Sequence, residues 1–383
     1  MNKEDLINFE KEIEEIYSKG KIKAPIHLCG GNEEQLIEIF KEINKEDWIF
    51  LSYRNHYHAL LKGLEPEILK KKIIEGGSMH IMDKKNKIFS TSIVGGQLPI
   101  ALGTALALKR KKSNNRVYAF CGDMASETGV FHEVVKYAEG HDLPIKFVIE
   151  DNGLSVYTNT ELVWGKRSKH NLEGKISNPY IIKYKYIRAH PHHGIGMWVN
   201  FPESNIKDKN YNKKISRAME RLGGDERTLF LGQTVSVKGS PIYQTLENVP
   251  AEKKIELPVM EEVQMGMSIG LALEGYIPIS VYPRFDFLIL ATNQLVNHLD
   301  KIYALSCGDF NPIVIVRTLV GSRKPLDVGL QHSQDHSSAY RKMLEHTNLV
   351  ELKSSDRVLS EYEKALNSDR PSIIVEYISK YSP

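Results

Sequence analysis

The chain has few of the features that would place it in a membrane, outside the cell or on nucleic acid. No apolar run in the 383-residue chain approaches the roughly 18 residues that a membrane-spanning helix needs. Its three cysteines are scattered and odd in number, which argues against a disulfide framework and for a reducing cytoplasm. The net charge of only +3 does not indicate the strongly basic surface that is typical of nucleic-acid-binding proteins. The charged, amphipathic N-terminus does not resemble a signal peptide. We therefore expect a cytoplasmic protein with neither a membrane nor a nucleic-acid partner.

Strand and helix patterns alternate along the chain and predict an α/β protein. Its 41% hydrophobic content can fill two domain cores. After a polar outer helix at 3–19, apolar runs typical of buried strands alternate with helices, as in a parallel sheet covered by helices. A stretch at 202–214 that is rich in Lys and Asn predicts a linker. We expect a first domain at 1–201, a linker with the next helix at 202–224, and a second domain at 225–383.

The second domain repeats this alternation. Its predicted strands are 228–234, 278–284, 312–319, 348–353 and 371–378. Its predicted helices include Glu261–Tyr276, Leu288–Leu305 and Arg357–Asn367.

A strand–helix–strand unit in the first domain carries candidate metal ligands. The apolar run 116–123 predicts a strand that ends at Asp123, and 144–152 predicts the next parallel strand, ending at Asn152. Open α/β sheets bind ligands at the carboxyl ends of such strands. Together with a main-chain carbonyl near Leu154, these residues supply the oxygen ligands that Mg²⁺ prefers. Taken alone, the pair is equally compatible with a turn Asp and a turn Asn.

The helix of this unit follows Asp123. Ser126 is placed to cap it. Its predicted apolar stripe consists of Val130, Phe131, Val134, Val135 and Ala138.

With these residues, the segment Cys121–Ser155 resembles the cofactor-binding motif of the thiamine-diphosphate enzymes. The match is to the decarboxylating component of the 2-oxoacid dehydrogenases. Segments similar to its alpha subunit are His27–Gln35, Leu51–Gly63, Gly76–Leu108 and Asn178–His193. Segments similar to its beta subunit are Leu257–Ile279, Phe285–His298 and Gly329–Tyr340. The resemblance implies a fusion of both halves as two tandem thiamine-diphosphate-binding-fold domains, each a parallel sheet flanked by helices.

The chain departs from the family pattern at several points. Met124 and Ser92 stand where the family usually has glycine. The stretch between Asn152 and Asn178 is too short for the helix–strand unit of the alpha subunit. Because the chain stops at Pro383, the resemblance also implies that the C-terminal transketolase-type domain is missing.

The resemblance implies a site for each end of thiamine diphosphate. The residues expected around the diphosphate and Mg²⁺ are Tyr53, Arg54, Gly122, Asp123, Met124, Ala125, Asn152, Leu154 and Arg188. Met124 and Ala125 would offer backbone N–H groups at a helix N-terminus. Main-chain groups of Ser92 and Val94 are expected to hold the pyrimidine, with Phe287 stacked on it. Surface salt bridges would equally explain the two arginines, and core packing would explain Phe287.

The family mechanism also needs a carboxyl group and histidines. A Glu protonates the pyrimidine, whose imino form then removes the thiazolium proton. The family's Pro-x-x-Glu spacing selects Glu261 and leaves Glu262 as a first-turn acid. We expect Glu261 to be buried at a domain interface, where desolvation raises its pKa. His56, His192 and His332 fall where the family places active-site histidines, although a single His is more often structural.

The sequence thus predicts a thiamine-diphosphate-dependent enzyme that decarboxylates a pyruvate-like 2-oxo acid and passes the acyl or aldehyde unit to an acceptor. The family's acceptor is the lipoyl group of a partner acyltransferase. A freestanding carboligase or transketolase-like enzyme remains an alternative, as does a non-catalytic paralogue. Because family sites form between subunits, we expect a homodimer or a higher homo-oligomer.

Overall fold

The computed structural model describes residues 1–165, 178–197, 199, 210–324 and 326–380. The chain separates into two compact units, Met1–Pro202 and Glu203–Pro383, called here the first and second domains. Most of the predicted linker lies outside the described residues, as does much of the segment before Asn178 that the sequence suggested was shortened.

The first domain contains a five-stranded parallel sheet in the order β2-β1-β3-β4-β7. A two-stranded antiparallel hairpin, β5-β6, follows β4. The strands are β1 (Trp48–Leu51), β2 (Ile88–Ser90), β3 (Val117–Gly122), β4 (Ile145–Asp151), β5 (Leu154–Ser155), β6 (Thr158–Asn159) and β7 (Ile181–Lys185). β3 and β4 are mostly buried because helices cover both sheet faces, and this explains why most of their residues are apolar.

Eight α-helices are described in the first domain. They are α1 (Lys3–Ser18), α2 (Glu33–Phe40), α3 (His56–Leu61), α4 (Pro66–Lys72), α5 (Gln97–Arg110), α6 (Asp123–Ser126), α7 (Gly129–Gly140) and α8 (Thr160–Val163). The predicted outer helix α1 is not polar all round. It begins at a capping box between Asn2 and Asp5, and it buries one apolar face in the core together with the carboxyl group of Glu10.

The helix after Asp123 begins later than the sequence predicted. The chain first makes the single turn α6, where the Ser126 hydroxyl donates to the Asp123 carbonyl. Thr128 rather than Ser126 then caps α7. Val130 is 40% exposed, whereas the other four residues of the predicted stripe are buried. The prediction was wrong about the cap because an Asp-x-x-Ser turn and a helix N-cap have the same local sequence preference.

The second domain contains a six-stranded parallel sheet in the order β12-β13-β11-β10-β8-β9. The strands are β8 (Thr228–Gly232), β9 (Lys254–Glu256), β10 (Ile277–Tyr282), β11 (Ile315–Val320), β12 (Asn348–Leu352) and β13 (Ser372–Tyr377). The described helices are α9 (Tyr211–Gly223), α10 (Pro241–Thr245), α11 (Glu261–Leu273), α12 (Phe285–Leu288), α13 (Ile302–Leu305), α14 (Ser337–Met343) and α15 (Val358–Leu366). All five predicted strands are confirmed, and the short edge strand β9 was not predicted.

The predicted helix Leu288–Leu305 is broken. A π-helical segment occupies Gln294–Leu299, and the Asp300 N–H donates to the Leu295 carbonyl, five residues earlier in the chain. The Asp300 carboxylate accepts from three backbone N–H groups at 345–347. This long-range anchor lies outside the local sequence and explains why periodicity could not reveal the break.

Apolar side chains fill both faces of each sheet. Two core clusters lie in the first domain and two in the second. Each fully buried Leu, Ile or Phe contributes about 1.5–3 kcal/mol relative to exposure. The predicted fold class, two α/β domains with parallel sheets flanked by helices, is confirmed. In the described part of the chain, no helix has the length and apolar character needed to cross a membrane.

Candidate functional site

The carboxyl ends of β3 and β4 bring the predicted metal ligands to one edge of the first sheet. The two strands run parallel, with Gly122 opposite Glu150. Asp123 and Asn152 leave the sheet directly after these strands. A Cβ built on Gly122 would meet nothing within 4 Å. This edge is therefore open where open α/β sheets take ligands.

Asp123 is a buried carboxylate with one oxygen in use. Its Oδ2 accepts a hydrogen bond from Thr160 Oγ1 at 2.5 Å, and its buried Oδ1 has no partner among the described residues. Burial raises the pKa of Asp123 to about 6, against the lowering by the Thr160 hydrogen bond. A cation next to Oδ1 would satisfy this atom.

Asn152 and Leu154 lie in the loop that follows β4. Asn152 Oδ1 accepts from the Leu154 N–H at 3.0 Å, and its amide nitrogen donates to Tyr186 Oη at 3.1 Å. The amide oxygen thus faces the start of β5, where Leu154 lies. The structure brings all three predicted metal ligands to the same edge of the sheet.

Met124 and Ala125 are buried in α6. This helix has only four residues, so its dipole is far weaker than that of the longer helix that the sequence predicted. Met124 has ordinary helical geometry and does not need the left-handed backbone that favours glycine. The departure from the family glycine is therefore free of backbone strain.

Two arginines, Arg54 and Arg188, lie near Tyr53 in the first domain. Arg54 donates through Nε to the Leu28 carbonyl and through a terminal nitrogen to the His192 carbonyl. Arg188 donates to the Val156 carbonyl at 3.3 Å. Neither guanidinium forms an ion pair with a carboxylate among the residues that the structure describes. Burial, and then the positive charge of Arg54, lower the pKa of Arg188. Two cations held near each other without a counter-ion make an anion-binding region.

Tyr53 belongs to this electropositive region. Its ring lies 5.7 Å from the Arg54 guanidinium carbon. Burial raises the pKa of Tyr53, while Arg54 and Arg188 oppose the rise and Asp123 adds to it. The phenol therefore stays protonated and can donate to an anion at neutral pH.

His192 packs against the aromatic rings of the same region. Its ring centroid lies 5.6 Å from that of Tyr53 and 5.3 Å from that of Tyr157. Burial, and then Arg54, hold the pKa of His192 well below its usual value. The imidazole is therefore neutral at pH 7, and its ring nitrogens can accept one hydrogen bond and donate another without carrying charge.

His56 lies apart from these residues. Its ring is fully buried, with Nδ1 3.0 Å from Glu10 Oε1 and Nε2 2.9 Å from Ser78 Oγ. The same Glu10 oxygen accepts from the Cys29 N–H. With both nitrogens engaged, His56 presents no open nitrogen to a substrate in this arrangement, and its catalytic role stays a prediction.

Ser92 is buried, and its hydroxyl lies 3.0 Å from His80 Nε2. Val94, two residues on, is partly exposed in the turn before α5. The hydroxyl that replaces a family glycine is thus turned toward His80 and hydrogen-bonded.

The predicted carboxyl group of the second domain begins α11. Glu261 is partly buried, and no side chain among the described residues hydrogen-bonds its carboxyl. Burial raises the pKa of Glu261 to about 7. Glu262 is exposed and accepts from Asn293 at 2.7 Å. The two neighbours therefore differ in environment as the predicted choice of Glu261 requires.

Phe287 and His332 lie together in the second domain. Their ring centroids are 5.3 Å apart and the rings meet edge to face. The His332 carbonyl lies so close to Gly321 that a Cβ there would come within 1.9 Å of it. Gly321, directly after β11, thus allows the His332 loop to approach the sheet.

Two residues at the first-domain site were missed from the sequence. The Thr160 hydroxyl donates a hydrogen bond to Asp123, and the Tyr157 hydroxyl lies 2.5 Å from His193 Nδ1. Both come from the loop after Asn152, and their only sequence signal was closeness to that residue. Among the described residues, no group of three or more His, Cys, Asp or Glu side chains is placed to hold a metal ion. Asp123 is the carboxylate that directly follows β3, while Glu150 and Asp151 end β4 beside it.

The first domain is similar to known proteins. The family described as dehydrogenase E1 component matches residues 1–168. The pyruvate dehydrogenase E1 component subunit alpha of Rickettsia bellii is 34% identical over 164 residues, which cover 40% of this chain and 50% of that protein. The alpha subunit of acetoin:2,6-dichlorophenolindophenol oxidoreductase from Cupriavidus necator is 34% identical over 164 residues, covering 40% and 49%. The corresponding Bacillus subtilis subunit is 32% identical over 167 residues, covering 41% and 50%. The chain spans about half the length of these relatives.

Proposed function

We propose that the protein is a thiamine-diphosphate-dependent enzyme that decarboxylates a 2-oxo acid. Support comes from the match of residues 1–168 to the family described as dehydrogenase E1 component. One observation carries this proposal. The buried Oδ1 of Asp123 has no partner among the described residues and lies at the same sheet edge as Asn152. Arg54 and Arg188, neither of which pairs with a carboxylate among those residues, lie near Tyr53, as Asp123 does.

The residues present fit a magnesium diphosphate. Asp123 Oδ1, the Asn152 amide oxygen and the Leu154 carbonyl are the protein's share of an oxygen coordination shell. Arg54 and Arg188 balance the negative charge of a diphosphate. The bound cofactor would supply the carbon nucleophile that attacks a 2-oxo acid.

The chain's own residues would handle protons and the substrate carboxylate. With a pKa of about 7, Glu261 exchanges a proton at its carboxyl readily near neutral pH. Neutral His192 can form a hydrogen bond with the substrate, and His332 beside Phe287 can orient a carboxylate. We propose that main-chain groups of Ser92 and Val94 bind the pyrimidine end, and that Phe287 of the second domain is a stacking residue. We propose that His56 supports the first-domain site indirectly, because it hydrogen-bonds Glu10, which in turn accepts from the Cys29 N–H.

The substrate and the partners are further parts of the proposal. We propose a pyruvate-like 2-oxo acid, an acyl acceptor on the lipoyl group of a partner acyltransferase, and a homo-oligomer in the cytoplasm. Relatives of the first domain are named as dehydrogenase components or oxidoreductase subunits. The carboligase, transketolase-like and non-catalytic alternatives therefore take second place.

Calorimetric titration of thiamine diphosphate, with and without Mg²⁺, tests the proposal. We expect binding that requires Mg²⁺, and CO₂ release from pyruvate by the loaded protein. Asp123→Asn should lose the Mg²⁺ requirement together with tight binding. Asp142→Asn is the matched control, because Asp142 has a φ of 42° that Asn tolerates well. Equal binding of wild type with and without Mg²⁺, or no binding at all, would refute the proposed site.

A further inference from the structure

The hydrogen bond between Thr160 and Asp123 joins two parts of the candidate site. Both side chains are more than nine-tenths buried, and the Oγ1–Oδ2 distance is 2.5 Å. The Thr160 N–H donates to the Gly153 carbonyl at 3.0 Å. Thr160 therefore links the carboxylate after β3 to the loop after β4 by one side-chain and one main-chain contact.

A strained hairpin determines where Thr160 lies. Ser155 pairs with Thr158, which leaves Val156 and Tyr157 as a two-residue turn. Val156 has a φ of +56°, a rare conformation for a β-branched residue and one that usually calls for glycine. Such strain persists only where surrounding contacts enforce it, and it concentrates at functional sites. Here the Val156 carbonyl accepts from Arg188.

We propose that Thr160 is a positioning residue that orients the metal-binding carboxylate of Asp123. By occupying Oδ2, its hydroxyl fixes the carboxylate plane and leaves Oδ1 as the oxygen offered to a divalent cation. The hairpin holds Thr160 at this distance. The inference rests on the proposed function, because it assumes that a divalent cation of the Mg²⁺ class binds at Asp123.

Partners of metal-ligating carboxylates commonly change metal affinity by about 10–100-fold when they are removed. A structural role would instead appear as lost stability, whichever oxygen Asp123 offers. The two roles therefore separate if metal affinity and thermal stability are measured on the same variants.

The test compares three variants of the full chain. Thr160→Val keeps the shape and removes the hydroxyl, Thr160→Ser keeps the hydroxyl, and Thr104→Val makes the same change on α5, where the hydroxyl donates to the Ile100 carbonyl. Mg²⁺ affinity is measured by calorimetry with saturating thiamine diphosphate. Binding of Mn²⁺ by paramagnetic resonance is a second readout. We expect Thr160→Val to bind Mg²⁺ about 10–100-fold more weakly, and the other two variants to stay within about threefold of wild type.

The outcomes separate the inference from the proposed function. Wild-type affinity in a folded Thr160→Val protein overturns the role of Thr160 and leaves the proposed function standing. Equal weakening in Thr160→Val and Thr160→Ser also overturns it, because the hydroxyl would then not matter. If Thr160→Val does not fold, wild-type Mg²⁺ affinity in Thr160→Ala overturns it instead. Absence of Mg²⁺-dependent binding in wild type overturns the proposed function and this inference together.

Discussion

Glu261→Gln should stabilise the protein at alkaline pH while removing its activity. Burial raises the pKa of this carboxyl from its usual 4.5 to about 7. One unit of pKa corresponds to about 1.4 kcal/mol. The ionised form in the folded protein therefore costs about 3 kcal/mol, and a neutral amide of the same shape removes that cost.

The sign of the pH dependence follows from the raised pKa. Below about pH 4.5 the group is protonated in both the folded and the unfolded chain, so it costs nothing. As the pH rises toward 7, the unfolded chain ionises first, and folding loses stability. Above pH 7 the whole cost is present. Glu261→Gln should therefore gain less than about 1 kcal/mol at pH 5 and about 3 kcal/mol at pH 8.

Urea unfolding of wild type and variant at both pH values measures this gain. Glu262→Gln is the matched control, because its side chain is exposed on the same first turn. It should change stability by less than about 0.5 kcal/mol at both pH values. Glu261→Gln should also keep thiamine diphosphate affinity and lose about 10²–10⁴-fold in turnover. A gain at pH 8 no larger than at pH 5 would refute the burial argument, and normal turnover would show that Glu261 is the wrong carboxyl.

Two further predictions address one partly buried and one fully buried arginine. Arg188→Met should weaken thiamine diphosphate binding by about 10–100-fold, since it removes a charged hydrogen bond. Urea stability should change by less than about 1 kcal/mol, because relief of repulsion from Arg54 offsets the lost hydrogen bond to the Val156 carbonyl. A larger stability loss with unchanged binding would make Arg188 structural. In the second domain, Glu376→Gln should cost about 3–5 kcal/mol in urea unfolding because Arg317 would stay charged and buried. The double variant Arg317→Met/Glu376→Leu should recover most of that loss, and a cost below about 1 kcal/mol for the single variant would contradict the argument.

The sheets were predictable from sequence because both of their faces are covered. Strands such as 145–151 and 315–320 are rich in apolar, mostly β-branched residues within a short span, which is typical of buried strands. Features that depend on distant contacts were not predictable. The break before Asp300 depends on backbone groups at 345–347, and β9 has only partly buried residues that carry no strand pattern.

The candidate site divides in the same way. Asp123 and Asn152 were predictable because the end of a buried strand fixes where the next residue lies. Thr160 and Tyr157 were not, because an irregular hairpin with a left-handed Val156 brings them back to the sheet edge. No residue preference announces such a turn, since Val is the opposite of what the conformation favours. Loops of this kind carry the parts of a site that vary within a fold.

A contrast between two buried acidic groups supports the functional interpretation. The second domain buries Glu376 completely and satisfies it with both arms of the Arg317 guanidinium and with the Tyr362 hydroxyl. The first domain buries Asp123 almost as deeply, but among the described residues its side-chain hydrogen bond comes from the neutral Thr160 hydroxyl and Oδ1 has no partner. The protein thus satisfies Glu376 fully, but among the described residues it leaves Asp123 without a cation and Arg54 and Arg188 without an anion. This arrangement costs stability in the first domain. Because a ligand that binds only the folded protein stabilises it, a magnesium diphosphate would restore that stability, and the gain would rise with the logarithm of its concentration above the Kd.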